Sequence, residues 1–154
     1  MSDIEFINTR FDPESTSFLA AAKVMAAEFG YTATLGVDAQ LAQLLRLRVA
    51  QLVPCSYCLI LHTRAAREII SDPRVDGLLS WRESELYSAP ERAALAYCEA
   101  LTAGSATDLP PAHDALAEHL GPESIAEIAA VVLNMNVWTR LKLAQGETPR
   151  HVQN

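Results

Sequence analysis

Apolar positions along this chain recur mostly at three- and four-residue intervals, the spacing that lines up side chains on one face of an α-helix. Asp12-Pro13-Glu14 supplies a capping residue followed by proline. Phe18, Ala21, Ala22, Met25 and Phe29 then predict a first helix that packs into the core and stops at Gly30. A second helix is predicted from Asp38 to about Leu52. Its Leu41, Leu44, Leu45, Leu47, Val49, Ala50 and Leu52 nearly encircle it, which implies burial on most sides. Pro54 is predicted to end that helix and to occupy the first position of the next, bending the chain so that Gln43 lies over it. This third helix runs on through Leu59, Ile60, Leu61, Ala65, Ala66 and Ile69.

Ser71-Asp72-Pro73 marks a break, followed by a short helix before Trp81, read as a packing residue. Ser88-Ala89-Pro90-Glu91 reads as a capping box opening a helix through Ala94, Leu95, Tyr97, Cys98 and Leu101 to Gly104. Another helix is predicted from Thr107-Asp108-Leu109-Pro110-Pro111 to about Leu120, and a last long one from Gly121-Pro122 to about Ala144. No alternating strand pattern emerges anywhere, and the tail GETPRHVQN reads as polar and loosely held. The expectation is an all-α orthogonal bundle of six to eight helices, with residues 1–154 forming a single domain.

Composition narrows the class. Half of the 154 residues are hydrophobic, enough for a real core, yet the apolar runs break well short of the roughly 20 residues a membrane span needs. No membrane association is expected, and the start, MSDIEFINTR, lacks the pattern of a signal peptide. A formal charge of −7 argues against nucleic acid as a partner. Three cysteines suit no secreted disulfide framework, so the expected location is cytoplasmic, where a CxxC pair is catalytic or metal-binding more often than structural. Such apolar helices in a small domain predict an extensive subunit interface, hence a homo-oligomer, with dimer, trimer and hexamer open.

The chemistry concentrates in Cys55, Cys58 and His62, a C-x2-C-x3-H pattern just after Pro54. Residues three and four apart share a helical face, so two thiols and an imidazole converge. Thiolate is the nucleophilic form of cysteine, and a helix N-terminus or an imidazole favours it. A thiolate oxidised to sulfenic acid is resolved by a neighbouring thiol to a disulfide, and His62 is placed to take or return a proton. Other readings stay open. The cysteines suit a buried hydrophobic pair, His62 a structural histidine, and the three together a zinc site completed by water. No second Cys/His pair at ligand spacing is present, so no metal or cofactor is assigned.

Arg46 and Arg48 interrupt an apolar helix and are read as structural ion pairs, with substrate binding the alternative. Tyr57 is read as a core aromatic or a gate, Cys98 as a buried structural thiol, and Thr63 and Arg64 as either exposed or orienting the site. Asn134 and Asn136 sit in an apolar run, where unpaired amides are costly, and are expected to bond to another helix or subunit. His113, His119 and His151 have no ligand-like neighbours in sequence.

The run LLRLRVAQ, the C-x2-C-x3-H, HTRAAR, WRESELYSAPERAALAYCEALT at 81–102 and NVWTRLKLA together resemble the alkylhydroperoxidase D-like branch of the carboxymuconolactone decarboxylase family, over roughly residues 15–145. The resemblance implies an all-helical, oligomeric protein with thiol peroxidase or disulfide reductase chemistry. It implies that Cys58 attacks a hydroperoxide, Cys55 resolves the product, and a lipoyl or thioredoxin-like dithiol reductant reopens the disulfide. It also brings Asn136 near the site and implies that the first helix belongs to the substrate approach or a subunit contact. The family usually carries a relay glutamate twelve residues before the first cysteine, and here that position is Gln43. A glutamine positions by hydrogen bonding but trades no proton. Glu68 is a weak substitute, read more simply as a surface charge.

The expected catalytic set is therefore Cys58, Cys55, His62 and Gln43, in a thiol-dependent peroxidase slowed by the missing carboxylate. A non-enzymatic, redox-sensing or partner-binding dithiol module is the alternative. Lactone decarboxylation, which needs no cysteine pair, comes third.

Overall fold

The computed structural model describes residues 3–152. In chain order it comprises strand β1 (Ile4–Asn8), a 3-10 turn (Pro13–Ser15), and helices α1 (Phe18–Phe29), α2 (Ala39–Leu52), α3 (Ser56–Ile69) and α4 (Asp72–Asp76). A 3-10 segment (Leu78–Glu83), α5 (Ala89–Ala103), α6 (Leu109–Ala117), α7 (Pro122–Gln145) and strand β2 (Glu147–His151) follow. The all-α expectation holds for the body of the molecule. At its centre lies α2, packed against α3, α5 and α7. Leu44, Leu45, Leu47 and Val49 of α2 meet Leu95 of α5 and Ile128, Val131, Val132 and Met135 of α7 in one core.

Local signals set most boundaries. Asp38 caps α2 by accepting from the Leu41 amide at 2.9 Å. At α5 both halves of the capping box form, with Ser88 Oγ accepting from the Glu91 amide and Glu91 accepting from the Ser88 amide.

Four expectations need correction. Asp12 caps only the short 3-10 turn, and α1 starts at Phe18. That helix does not pack into the core: only Ala22 is buried, while Phe18 is 54% and Val24 69% exposed. It lies on the outside against α7, so half of its apolar residues, Phe18, Ala20, Ala21, Val24 and Ala27, stay exposed. Gly30 ends α1 with an ordinary negative φ; a Cβ there would press on the Ala26 carbonyl oxygen, so close approach is what demands glycine.

The start of α3 shifts as well. Pro54 lies in the preceding turn, and Cys55 is the capping residue, its sulfur accepting from the Cys58 amide at 3.2 Å. The largest departure is at the ends of the chain. β1 and β2 pair antiparallel, with Ile4 opposite His151, Phe6 opposite Pro149 and Asn8 opposite Glu147. The tail is thus held through His151, while Gln153 and Asn154 lie outside the described residues. Gly146, at φ 70°, turns α7 into β2, and the Thr9 amide and hydroxyl both donate to its carbonyl, at 3.1 and 2.9 Å. Each strand is only five residues long, too short for alternation to mark it, so pairing between remote segments, not local pattern, makes this ribbon.

Candidate active site

The tight turn before α3 delivers Cys55 and Cys58 to each other. They are disulfide-paired, with Cα atoms 5.2 Å apart. Both are nearly fully buried, but they face different surroundings. Cys58 lines a cavity of about 180 Å³ together with His62, one turn further along α3. Cys55 stands outside that lining, at the positive end of the helix.

The cavity is mostly apolar. Ala26, Gly30 and Tyr31 close it from the α1 side, Tyr57 and Leu61 from α3, and Asn134, Met135, Trp138 and Lys142 from α7. Tyr57, between the cysteines, packs edge-on against Phe6 of β1 at 5.0 Å between ring centroids, and the Lys142 ammonium sits 4.3 Å above its ring. Lys142 pairs with Glu147 of β2, so the terminal ribbon braces one wall of the site. Burial, then the nearby Glu147 and Tyr31, raise the Tyr57 hydroxyl above its usual range.

Two buried polar atoms of lining residues lack a partner among the described residues: the Asn134 side-chain oxygen, an acceptor, and the Trp138 indole N–H, a donor. Buried polar groups are normally paired, so these two stand out in a mostly apolar lining. Asn136, by contrast, bonds across to Thr102 of α5 at 3.2 Å and to the Val132 carbonyl at 2.8 Å. The expected bond to another helix is therefore made by Asn136, whereas Asn134 takes the place beside the cavity.

His62 is held by a chain of hydrogen bonds from α2. Gln43 Nε2 lies 3.3 Å from His62 Nδ1 and donates to the His62 carbonyl at 3.1 Å. Arg46 Nη1 donates to Gln43 Oε1 at 3.3 Å, and Arg46 Nη2 donates to the carbonyls of Phe29 and Gly30 at 3.1 and 2.9 Å. Arg46 thus ties α2 to the end of α1 and forms no ion pair among the described residues, correcting the expectation for it. Arg48 does form one, with Glu99. Burial, reinforced by the Arg46 charge, pulls the His62 imidazole down to about 4, so it is neutral at physiological pH. The Tyr31 ring meets His62 edge-on at 5.7 Å.

The structure brings Cys55, Cys58, His62 and Gln43 together. Glu68 does not line this cavity; it lines a neighbouring pocket together with Gln43 and Arg46. Cys98 is fully buried, and burial pushes its thiol up to about 12, as suits an inert packing residue. Asn134, Trp138 and Lys142 went unread as site residues. The only sequence signal was an asparagine, an indole and an amine four residues apart on one face of the last helix. Among the described residues, no cluster of three or more His, Cys, Asp or Glu side chains has metal-binding geometry.

Relatives agree with the architecture. The uncharacterized protein YdfG of Bacillus subtilis is 28% identical over 126 residues, covering 80% of this chain and 86% of YdfG. A protein of unknown function from Agrobacterium tumefaciens, described as a candidate antioxidant defence protein AhpD, superposes with a TM-score of 0.81 at 22% identity, over 95% of this chain and 99% of its own. An uncharacterized peroxidase-related protein from Silicibacter superposes with a TM-score of 0.74 at 23% identity, over 86% of this chain and 70% of its own. These two superpositions establish the fold. A model of the carboxymuconolactone decarboxylase family matches residues 19–100, more than half of the sequence, and the chain belongs to that family.

Proposed function

We propose that the protein is a thiol-dependent peroxidase in which Cys58 attacks a hydroperoxide and Cys55 resolves the product. One observation carries this reading. Of the two cysteines, Cys58 faces the cavity, in the company of His62 and of residues bearing one unpaired acceptor and one unpaired donor, Asn134 and Trp138. A hydroperoxide group is itself both donor and acceptor, and the apolar walls suit an organic substituent.

In the reduced protein the Cys58 thiolate displaces the terminal peroxide oxygen. The S–O bond forms, the O–O bond breaks, and the leaving oxygen departs as alkoxide, to be protonated to the alcohol. Cys55 thiol then attacks the sulfenic acid, expelling water and closing the disulfide. A dithiol reductant of lipoyl or thioredoxin type reopens it by exchange. Helix N-terminal amides favour thiolate at either cysteine. The need for a dithiol supply suits a cytoplasmic protein, and the outward apolar side chains of α1, Phe18 and Val24 among them, suit burial in a homo-oligomer.

The test is consumption of an organic hydroperoxide with a dithiol present, following the Cys55–Cys58 redox state by intact mass. Turnover that disappears in Cys58→Ser and stalls at a sulfenic acid in Cys55→Ser is the expected result. A disulfide that forms once and does not cycle with any dithiol supports the dithiol-switch alternative. Wild-type rates in Cys58→Ser would overturn the proposal.

A further inference from the structure

The contacts around Gln43 fix more than a position. A side-chain amide presents an acceptor on one side and two donors on the other, and its partners decide which way it faces. Here Arg46 Nη1, which only donates, sits against Gln43 Oε1, and the His62 carbonyl, which only accepts, sits against Gln43 Nε2. Turning the amide over would set donor against donor and acceptor against acceptor. Arg46 is not free to follow, because the Phe29 and Gly30 carbonyls hold its other nitrogen. The amide nitrogen therefore also faces His62 Nδ1, at 3.3 Å. A protonated Nδ1 would point a hydrogen at a group that cannot accept it, so Nδ1 carries a lone pair and the imidazole proton is on Nε2.

We propose that Gln43, held by Arg46, locks His62 in the Nε2–H form, so that the site favours oxidants whose leaving oxygen needs no proton, a peroxy acid above an alkyl hydroperoxide. This rests on the peroxidase reading above. In this tautomer His62 donates a hydrogen bond through Nε2 but has no lone pair there to take a proton from Cys58. Giving its own proton away would leave an imidazolate, because Gln43 has no proton to pass to Nδ1. An alkoxide leaving group therefore departs without a general acid from this pair. With a peroxy acid the Cys58 thiolate bonds to the terminal oxygen, which keeps its hydrogen, and the O–O electron pair leaves on a carboxylate. The products are the sulfenic acid and a carboxylate anion, the charge is conserved, and no proton is required. Gln43 acts through His62 and is a positioning residue.

Two measurements test this on the full-length reduced protein. The first is long-range proton–nitrogen correlation NMR on protein labelled with nitrogen-15 histidine, the His62 signals being identified by their loss in His62→Asn. Nε2 protonated in the wild type is expected, with the proton moving to Nδ1 in Gln43→Glu. A wild-type His62 protonated on Nδ1 would overturn the lock. Gln43→Leu, which removes the donor without adding charge, serves should the glutamate variant not fold; there the preference for Nε2–H is expected to weaken.

The second is the ratio of kcat/KM for a peroxy acid to that for an alkyl hydroperoxide of equal chain length, in wild type and in Gln43→Glu. Restoring a proton-trading carboxylate is expected to lower that ratio by on the order of 10²-fold, through a faster alkyl hydroperoxide reaction. An unchanged ratio would overturn the substrate preference. Consumption of neither oxidant by either protein would end the peroxidase reading and this preference together, while the NMR result still decides the tautomer.

Discussion

Helix α2 sends two arginines, two residues apart, into buried ground on different sides, and they meet opposite fates. Arg48 reaches Glu99 through Nε at 2.9 Å and Nη2 at 2.8 Å. The same carboxylate accepts from Trp81 Nε1 at 2.8 Å and from Arg82 Nη1 at 2.6 Å. Burial alone would raise the Glu99 carboxyl, but these donors and the Arg48 charge hold it below the usual carboxylate range. Arg46 has no such partner among the described residues: two carbonyls and the Gln43 amide take its Nη groups, and its Nε is unpaired there. Burial draws its guanidinium down to about 10, still charged at neutral pH. The first site is scaffold, a closed ion-pair network holding α2, α5 and the Trp81 turn together. The second leaves a cation's field unspent, and that field falls on His62. What separates them is a single carboxylate, present at Glu99 and absent at Gln43.

The difference can be broken by substitution. Glu99→Ala strands the Arg48 charge and is expected to cost on the order of 4 kcal/mol in urea unfolding. A cost below about 1 kcal/mol would mean the network is no better than a surface pair. Next comes acid. An imidazole at about 4 in the folded protein, against 6.5 ordinarily, means that the unfolded chain binds its proton first. Stability is therefore full above about pH 6.5 and falls as pH drops toward 4, by on the order of 3 kcal/mol. Unfolding free energies across that range should flatten in His62→Asn relative to wild type.

Arg46→Met removes a cation and strands only neutral acceptors, so a smaller loss of about 2 kcal/mol is expected, with the imidazole rising toward its ordinary value. A loss equal to that of Glu99→Ala would erase the distinction between the two arginines. Trp81→Phe keeps the packing but deletes one of the donors to Glu99, for an expected loss of about 1 kcal/mol by the same unfolding measurement.

Sequence features whose causes are local read true. Ser88 and Glu91 are three residues apart and close their capping box within one turn. The Gly121-Pro122 start likewise places the beginning of α7 to the residue. The register of Cys58 with His62 follows from helical spacing, whereas Cys55 reaches Cys58 from the capping position just before α3. Even so, α3 starts later than Pro54 suggested, because a cysteine sulfur serves as its cap. Periodicity does not place the exposed side of α1, since an apolar helix looks the same whether its neighbours belong to its own chain or lie outside it.

The sequence by itself determined the helices, the bundle and the convergence of two thiols with an imidazole, because each follows from periodicity and capping within a few residues. Tertiary structure alone decided that Cys58 and not Cys55 opens on the cavity, that Asn134, Trp138 and Lys142 of α7 complete it, and that strands from opposite ends of the chain brace it. It also decided how Gln43 faces, since Arg46, His62 and the end of α1 meet only when three helices have packed. An amide has no intrinsic preference between its two ends. Its direction, and with it the tautomer of His62, is a property of neighbours that the chain brings from far away.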